Sequence, residues 1–189
     1  MTFEDFKILI AYVESNNNQF AIRFELHLYS RSKYNKKILN LIQTINECSL
    51  ETAKVIYCSA FGKYQIMGFN LYSNICNINE NIFIFCCDNR LQDKAFVQYL
   101  LHRYKNTQYV FFDLAKNIAK ELEYVKQIAN ETSSISAFLD VLRTNSEKFK
   151  ETARFIQRYN GAIFPSDHAL DYFLRMFYYY DKRIRKKGG

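Results

Sequence analysis

A glutamate at the end of an apolar helix is the first side chain in this sequence that could perform acid–base chemistry. The apolar residues before it recur at three- and four-residue steps: Phe3, Phe6, Leu9, Ile10 and Val13. This spacing predicts a helix over residues 2–15, with Thr2 as its N-cap. Glu14 lies in the last turn, where apolar neighbours would raise the pKa of its carboxyl group. Glu14 is therefore a candidate general acid, and a solvated surface glutamate is the alternative.

All three internal glycines fall in two loops, which are the next candidates for a functional site. Gly62 and Gly68 lie in Ser59-Ala-Phe-Gly-Lys-Tyr-Gln-Ile-Met-Gly-Phe-Asn70, and Gly161 lies in Arg158-Tyr-Asn-Gly-Ala-Ile-Phe-Pro165. Glycine permits positive φ angles and a close approach of the backbone, so both loops are expected to have demanding geometry. Ordinary helix C-capping is the alternative explanation for Gly161.

Four segments, taken in order, resemble the phage-type N-acetylmuramidases. They are Tyr12-Val-Glu-Ser15, Phe24-Glu-Leu-His-Leu-Tyr29, Ser59–Asn70 and Tyr159-Asn-Gly161. The family is lysozyme-like and related to goose-type lysozymes and soluble lytic transglycosylases. Its motifs are Val-Glu-Ser at the end of the catalytic helix, Phe-Glu-Arg-His, Ser-Trp-Gly-x-x-Gln-x-Met-Gly and a late Tyr-Asn-Gly. Four matches in the same order are more specific than any one of them.

The resemblance implies roles for nine residues of this chain. Glu14 matches the family's general acid, and Glu25 matches its second glutamate as a further catalytic candidate. The residues implied in substrate binding are Ser59, Phe61, Gln65, Met67, Tyr159, Asn160 and His27. The family's Trp is Phe61 here and its Arg is Leu26, so a relative that only binds glycan is an alternative. No cofactor and no metal is expected.

The reaction implied by the resemblance is cleavage of the β-1,4 bond between N-acetylmuramic acid and N-acetylglucosamine. The bridging oxygen must be protonated as an oxocarbenium-like centre develops, and Glu14 would supply that proton. At a separation of roughly 6.5–9.5 Å, Glu25 could activate a water for inversion. In a lytic transglycosylase the substrate's C6 hydroxyl attacks instead. An ion-paired structural role for Glu25 is an equal alternative.

The expected fold is mainly α (α+β), a lysozyme-like helical domain with a small β element after the first helix. Alternation of apolar residues over Phe20–Leu28 predicts a strand, with a helix as the alternative, and Ile82–Cys87 also has strand character. Apolar periodicity predicts further helices over residues 36–47, 50–58, 91–104, 108–130, 134–143, 146–158 and 167–181. We expect a single domain over residues 1–189, with an insertion at about 76–131 and a basic tail at 182–189.

Composition and charge set limits on the class of protein. The chain has 189 residues, 49% of them apolar, which excludes a wholly disordered chain. Five cysteines without a repeated spacing predict reduced, mostly core-filling thiols. The net charge of +7 indicates an anionic partner. A basic nucleic-acid-binding module is the rival class, but the aromatic residues lie mostly on predicted helix stripes, which favours core packing.

The expected partner is the glycan strand of peptidoglycan, with no nucleic acid, no membrane insertion and a monomeric state. The opening residues show no signal peptide pattern, and the apolar run Ile82–Cys87 is too short to span a bilayer. We therefore expect synthesis in the cytoplasm. Action on the cell wall would follow release by a holin, a secretion system or lysis.

Overall fold

The computed structural model describes residues 1–31, 33–105 and 110–185. The α-helices in these ranges are α1 (Phe3–Ser15), α2 (Leu26–Arg31), α3 (Lys36–Asn46), α4 (Leu50–Tyr57), α5 (Gly68–Leu71), α6 (Ile82–Cys87), α7 (Asn89–Arg103), α8 (Val110–Glu131), α9 (Ile135–Thr144), α10 (Lys150–Tyr159) and α11 (Asp167–Tyr179). A 3₁₀ turn, Ser146–Phe149, precedes α10, and a π turn, Tyr180–Ile184, follows α11. The strands are β1 (Ile22–Phe24), β2 (Ser59–Phe61) and β3 (Ile66–Met67). This confirms the mainly helical class with a small β element after the first helix, consistent with a lysozyme-like fold.

The chain divides into two compact units. One comprises Met1–Val13 and Thr107–Gly189, and the other comprises Glu14–Asn106. The division falls inside α1, directly before the candidate acid. Within the described ranges, no helix combines the length and the apolar character needed to cross a bilayer. The predicted start of a helix at residue 108 and the end of the basic tail, residues 186–189, lie outside these ranges.

The β element is a three-stranded antiparallel sheet in the order β1-β2-β3. Arg23 pairs with Ala60, and Ala60 pairs with Met67 on its other side. The chain turns between β2 and β3 through residues 62–65. The first glycine-containing segment, Ser59–Asn70, is therefore a hairpin followed by the start of α5, with Gly62 in the hairpin turn and Gly68 at the start of the helix.

The predicted strand over Phe20–Leu28 is correct only at β1 and wrong beyond it. The backbone N–H of Glu25 donates to the Cys58 carbonyl, but the Glu25 carbonyl already accepts from the N–H groups of Leu28 and Tyr29. This bonding begins α2, which confirms the helical alternative for that half of the segment. Four of the apolar side chains that predicted the strand are exposed to solvent: Phe20 (57% exposed), Ile22 (63%), Phe24 (43%) and Leu26 (66%).

The strand character assigned to Ile82–Cys87 was wrong, because this segment is helix α6. A short apolar run does not distinguish a strand from a buried helix by itself. The capping residue before it decides the structure here. The Asn81 side chain accepts a hydrogen bond from the Ile84 N–H, at 2.9 Å, and so satisfies a first-turn donor.

In the unit that contains α8, a carboxylate caps the first turn of α10. Glu121 of α8 accepts hydrogen bonds from the backbone N–H groups of Glu151 and Thr152, at 3.0 and 2.8 Å. It also accepts the Thr152 hydroxyl at 2.6 Å, and Thr152 is completely buried. First-turn N–H groups have no partners within the helix and form the positive end of its dipole, so a carboxylate stabilises them in both respects.

Aromatic rings form much of the core of the same unit. The Phe155 ring lies edge-on to Phe6 of α1, at a centroid distance of 5.1 Å, and stacks on Tyr159 at 5.2 Å. Phe149 and Phe173 pack edge to face at 5.3 Å. The expectation that the aromatic stripes serve core packing is confirmed at these positions.

The five cysteines are free thiols, as predicted. Cys58, Cys76 and Cys86 are buried, and Cys87 is exposed. Burial disfavours the thiolate and raises the pKa of Cys76 to about 12 and that of Cys86 to about 11. These two side chains therefore stay neutral near physiological pH and act as core residues.

Replacement of the Glu121 carboxylate tests its role as a cap. Glu121→Ala should lower the free energy of unfolding by about 1–2 kcal/mol, because two backbone donors and a buried hydroxyl lose their acceptor. Glu131→Ala, an exposed glutamate on the same helix, is the matched control and should change it by less than about 0.5 kcal/mol. Urea denaturation followed by circular dichroism measures both. Equal midpoints for the two variants would contradict the capping role.

Candidate active site

Glu14 lies half-buried in the last turn of α1, as predicted. The next residue, Ser15, donates its hydroxyl to the backbone carbonyl of Lys63 at 2.9 Å. Asn16 and Asn17 then adopt left-handed conformations, with φ of 56° and 61°, and end the helix. Asparagine tolerates this region better than most residues. The position of Glu14 is thus fixed by a bond between α1 and the hairpin turn.

The hairpin turn contains two residues with positive φ, Gly62 at 74° and Gln65 at 50°. The Gln65 backbone N–H donates to the Gly62 carbonyl at 3.1 Å, and its side-chain amide donates to the same oxygen at 3.0 Å. The amide also reaches the Ala21 carbonyl at 3.1 Å, which links the turn to the start of β1. The predicted demand on backbone geometry is confirmed at Gly62, and Gln65 itself stabilises the turn.

The side-chain amide of Gln92, on α7, lies directly beneath this turn. Its Oε1 accepts from the Lys63 backbone N–H at 2.8 Å. Its Nε2 lies 3.1 Å from each of three backbone carbonyl oxygens, those of Gln19, Phe85 and Cys86. Gln92 is only 1% exposed, and a Cβ on Gly62 would lie 2.5 Å from its Oε1. The turn therefore requires glycine at 62 both for its φ angle and for the space taken by the Gln92 amide.

The next residues of α7 hold the other side of the turn. Asp93 Oδ1 accepts the Tyr64 hydroxyl at 2.7 Å and pairs with Lys63 Nζ at 2.7 Å. The Tyr64 ring stacks on Phe96 with centroids 4.1 Å apart. Polar and aromatic contacts from one helix thus fix the turn to which Ser15 is bonded.

One turn further along, α7 carries a buried tyrosine, Tyr99. The phenol oxygen of Tyr99 accepts a hydrogen bond from Arg103 Nε at 3.0 Å, and the Arg103 guanidinium lies 5.2 Å from the ring centroid. Burial raises the pKa of Tyr99, Arg103 opposes that rise, and the negative charge of Glu14 adds to it.

Three predicted binding residues form part of the sheet itself. Ser59 is buried, and its hydroxyl donates to the Val55 carbonyl at 2.7 Å, at the end of α4. Phe61 is 4% exposed and pairs with Ile22 across the sheet. Met67 is half-buried on β3. In the structure these side chains build the hairpin that lies next to the end of α1.

Glu25 and His27 lie together at the start of α2. Glu25 Oε1 accepts Arg23 Nε at 2.6 Å, and His27 Nδ1 lies 3.5 Å from Glu25 Oε2. His27 is exposed, with 66% of its side chain accessible. The structure thus shows an ion pair between Glu25 and Arg23, which was one of the two alternatives for Glu25. A catalytic role for Glu25 stays a prediction.

Tyr159 and Asn160 belong to the unit that contains α10 and lie at the end of that helix. Tyr159 is its last residue, and Asn160 caps it. Gly161, with φ of 87°, donates its N–H to carbonyls of the last turn, at 3.1 and 3.2 Å. C-capping therefore explains Gly161. The Asn160 Oδ1 is buried and accepts no hydrogen bond from the described residues.

The sequence reasoning did not find the residues of α7 that contact the turn, which are Gln92, Asp93 and Phe96. Gln92, Phe96, Tyr99 and Arg103 are spaced so that they share one helix face. Gln92 lies on the same helix face as the aromatic residues, and this spacing could have indicated that its side chain is buried. A buried amide needs hydrogen-bond partners, so Gln92 could have been predicted to bond a neighbouring segment. Among the described residues, no group of three or more His, Cys, Asp or Glu side chains could hold a metal ion.

Comparison with known proteins identifies a family to which the chain belongs. No family model matches the chain, and no solved structure matches it. The chain is 39% identical over 124 residues to an endolysin of Enterobacteria phage PRD1. The alignment covers 62% of this chain and 80% of the relative. The chain therefore belongs to the family of this endolysin.

Two glycine substitutions separate the cost of a positive φ from the cost of crowding. Gly161 has open space around its Cβ position, so Gly161→Ala should lower the free energy of unfolding by roughly 1–2 kcal/mol through its φ alone. Gly62→Ala adds a clash with the Gln92 amide and should cost roughly 1–3 kcal/mol more. Urea denaturation of both variants provides the comparison. Equal losses would contradict the close contact between Gly62 and Gln92.

Proposed function

We propose that this protein is a peptidoglycan-degrading N-acetylmuramidase in which Glu14 acts as the general acid. The observation that carries the proposal is the position of Glu14 at the end of α1, in a chain that belongs to an endolysin family. Glu14 lies half-buried at the end of α1, and the Ser15–Lys63 bond ties that end to the hairpin turn. A proton donor on a rigid helix beside a rigid turn is suited to act on one fixed bond of a polymer.

In the proposed reaction, Glu14 protonates the oxygen that bridges N-acetylmuramic acid and N-acetylglucosamine. The bond from that oxygen to C1 breaks while positive charge develops on the sugar ring. In hydrolysis, a water attacks C1 and its proton passes to a second carboxylate. In the transglycosylase alternative, the C6 hydroxyl attacks C1 and returns its proton to the Glu14 carboxylate, which leaves a 1,6-anhydro end.

The other proposed contacts divide into those that shape the site and those that bind glycan. Ser59, Phe61, Gln65 and Met67 would act by holding the hairpin. His27 is exposed and would contact the sugar chain directly. Tyr159 and Asn160 would bind an N-acetyl group, as the resemblance implies.

The net charge of +7 supports an anionic polymer as substrate. Peptidoglycan carries carboxylates on its peptide stems, and a basic protein is drawn to such a surface by long-range attraction. The proposal places the enzyme at the cell wall after its release from the cytoplasm.

Removal of the proposed acid tests the function directly. Glu14→Gln keeps the size of the side chain and removes its proton, so the rate of lysis should fall by at least about 100-fold. Turbidity of exposed bacterial walls measures the rate, and circular dichroism checks that the variant is folded. Full lytic activity in a folded Glu14→Gln protein would overturn the assignment.

The role of Glu25 is tested by comparison with its ion-pair partner. If Glu25 activates the attacking water, Glu25→Gln should lower the rate of lysis by about 100-fold. Arg23→Gln, the matched control, removes the same ion pair and keeps the carboxylate, so it should retain most of the rate. Equal small losses in the two variants would overturn the general-base role and favour the transglycosylase route.

A further inference from the structure

The first two residues of the basic tail, Lys182 and Arg183, lie on an ordered surface that the proposed reaction does not use. They belong to the π turn that follows α11. Both are exposed, whereas Tyr180 and Ile184, at the two ends of the turn, are each 7% exposed. The Tyr180 hydroxyl donates to Glu123 of α8 at 2.9 Å. The turn is therefore fixed against α8 and presents its two cations to solvent.

Each of these cations is held over a tyrosine ring. Lys182 Nζ lies 5.0 Å from the centroid of the Tyr178 ring and donates to the Tyr178 hydroxyl at 2.7 Å. The Arg183 guanidinium lies 4.9 Å from the centroid of the Tyr12 ring of α1. Tyr179 connects the two rings, because it stacks on Tyr12 at 5.4 Å and packs edge to face with Tyr178 at 5.1 Å. These five residues belong to one compact unit and form the tyrosine–cation surface.

The charge of this surface is not balanced by carboxylates. In the described part of the chain, neither Lys182 nor Arg183 forms an ion pair with an acidic side chain. The neighbouring Asp181 pairs with Arg185 at 3.1 Å and with Lys126 at 3.3 Å. The hydrogen bond from Lys182, its charge and the charge of Arg183 all lower the pKa of the Tyr178 hydroxyl. The two cations thus favour negative charge at this surface.

The packing of the rings distinguishes between two kinds of anionic polymer. Single-stranded nucleic acid binds by stacking its bases on the faces of aromatic side chains. Here Tyr12 packs against both Tyr179 and Arg183, and the Tyr178 ring carries Lys182. A base would have to displace these contacts before it could stack. Carboxylates on flexible chains need only reach the exposed cations, and the peptide stems of peptidoglycan carry such carboxylates.

We propose that the tyrosine–cation surface binds the carboxylates of peptidoglycan peptide stems and retains the enzyme on the wall independently of bond cleavage. The inference rests on peptidoglycan as the proposed substrate and adds a second contact, outside the residues assigned to catalysis and sugar binding. Because tyrosine rings hold Lys182 and Arg183 in place, a carboxylate that binds them costs less side-chain entropy than binding to mobile cations. A polymer bound at two places is retained more firmly than at either place alone, because the second contact is intramolecular.

The test measures binding of the full chain to purified peptidoglycan sacculi by cosedimentation, with Glu14→Gln in every variant to prevent cleavage. Replacement of both cations, Lys182→Gln with Arg183→Gln, should raise the apparent Kd at low salt by at least about threefold, because two contacts to carboxylates are lost. The difference should disappear in about 1 M salt, where charges are screened beyond about 3 Å. It should also disappear with sacculi whose carboxylates have been amidated with carbodiimide and ammonia.

The matched control is Lys126→Gln with Arg185→Gln, which lowers the net charge equally but removes the cations that pair with Asp181. It should change the Kd by less than about twofold. Equal weakening in the two double variants, or an unchanged Kd in a Lys182→Gln/Arg183→Gln protein that circular dichroism shows to be folded, would overturn the inference. Loss of affinity for a single-stranded oligonucleotide in place of sacculi would overturn it in favour of nucleic acid. Fragments released by the Glu14→Gln background would refute the proposed acid and leave the comparison of the double variants intact.

Discussion

The buried amide of Gln92 is the interaction on which the rest of the candidate site depends. It accepts a hydrogen bond from the Lys63 N–H of the hairpin turn. Its NH₂ group lies within bonding distance of the Phe85 carbonyl in α6 and the Gln19 carbonyl before β1. A buried polar group left without a partner costs about 1–3 kcal/mol. The fold is therefore most stable when the Gln92 amide bonds all of these segments together. The Lys63 backbone carbonyl accepts a hydrogen bond from the Ser15 hydroxyl. This bond fixes the end of α1, and with it the position of Glu14. Gly62 follows as a requirement, because only glycine leaves room for the amide.

The stretch from 76 to 131, which the sequence suggests is an insertion, has supporting roles in both units. Its α7 portion carries Gln92 and Tyr99 and lies in the unit with the hairpin. Its α8 portion carries Glu121, which caps α10 in the other unit, the helix that ends at Tyr159. Whatever its origin, this stretch supplies side chains on which the positions of the predicted site residues depend.

Local patterns predicted the elements well where one signal was sufficient. Apolar periodicity placed Glu14 in the last turn of α1, and the predicted Thr2 cap is present. Apolar periodicity failed where another local signal decides the structure. Ile82–Cys87 is helical because Asn81 caps its first turn. The predicted strand over Phe20–Leu28 gives way to α2 at Leu26, where the Glu25 carbonyl accepts the first helical hydrogen bonds. The contacts of Gln92 join segments far apart in the chain, so no local pattern could reveal them.

Mass spectrometry of the fragments released from purified peptidoglycan tests the central claim most directly. If the protein is a muramidase that uses Glu14, the wild-type chain should release muropeptides with cut glycan and intact peptide stems, and Glu14→Gln should release none. A reducing N-acetylmuramic acid end would establish hydrolysis, and a 1,6-anhydro end would establish the transglycosylase route. Release of peptides from uncut glycan strands would contradict the account.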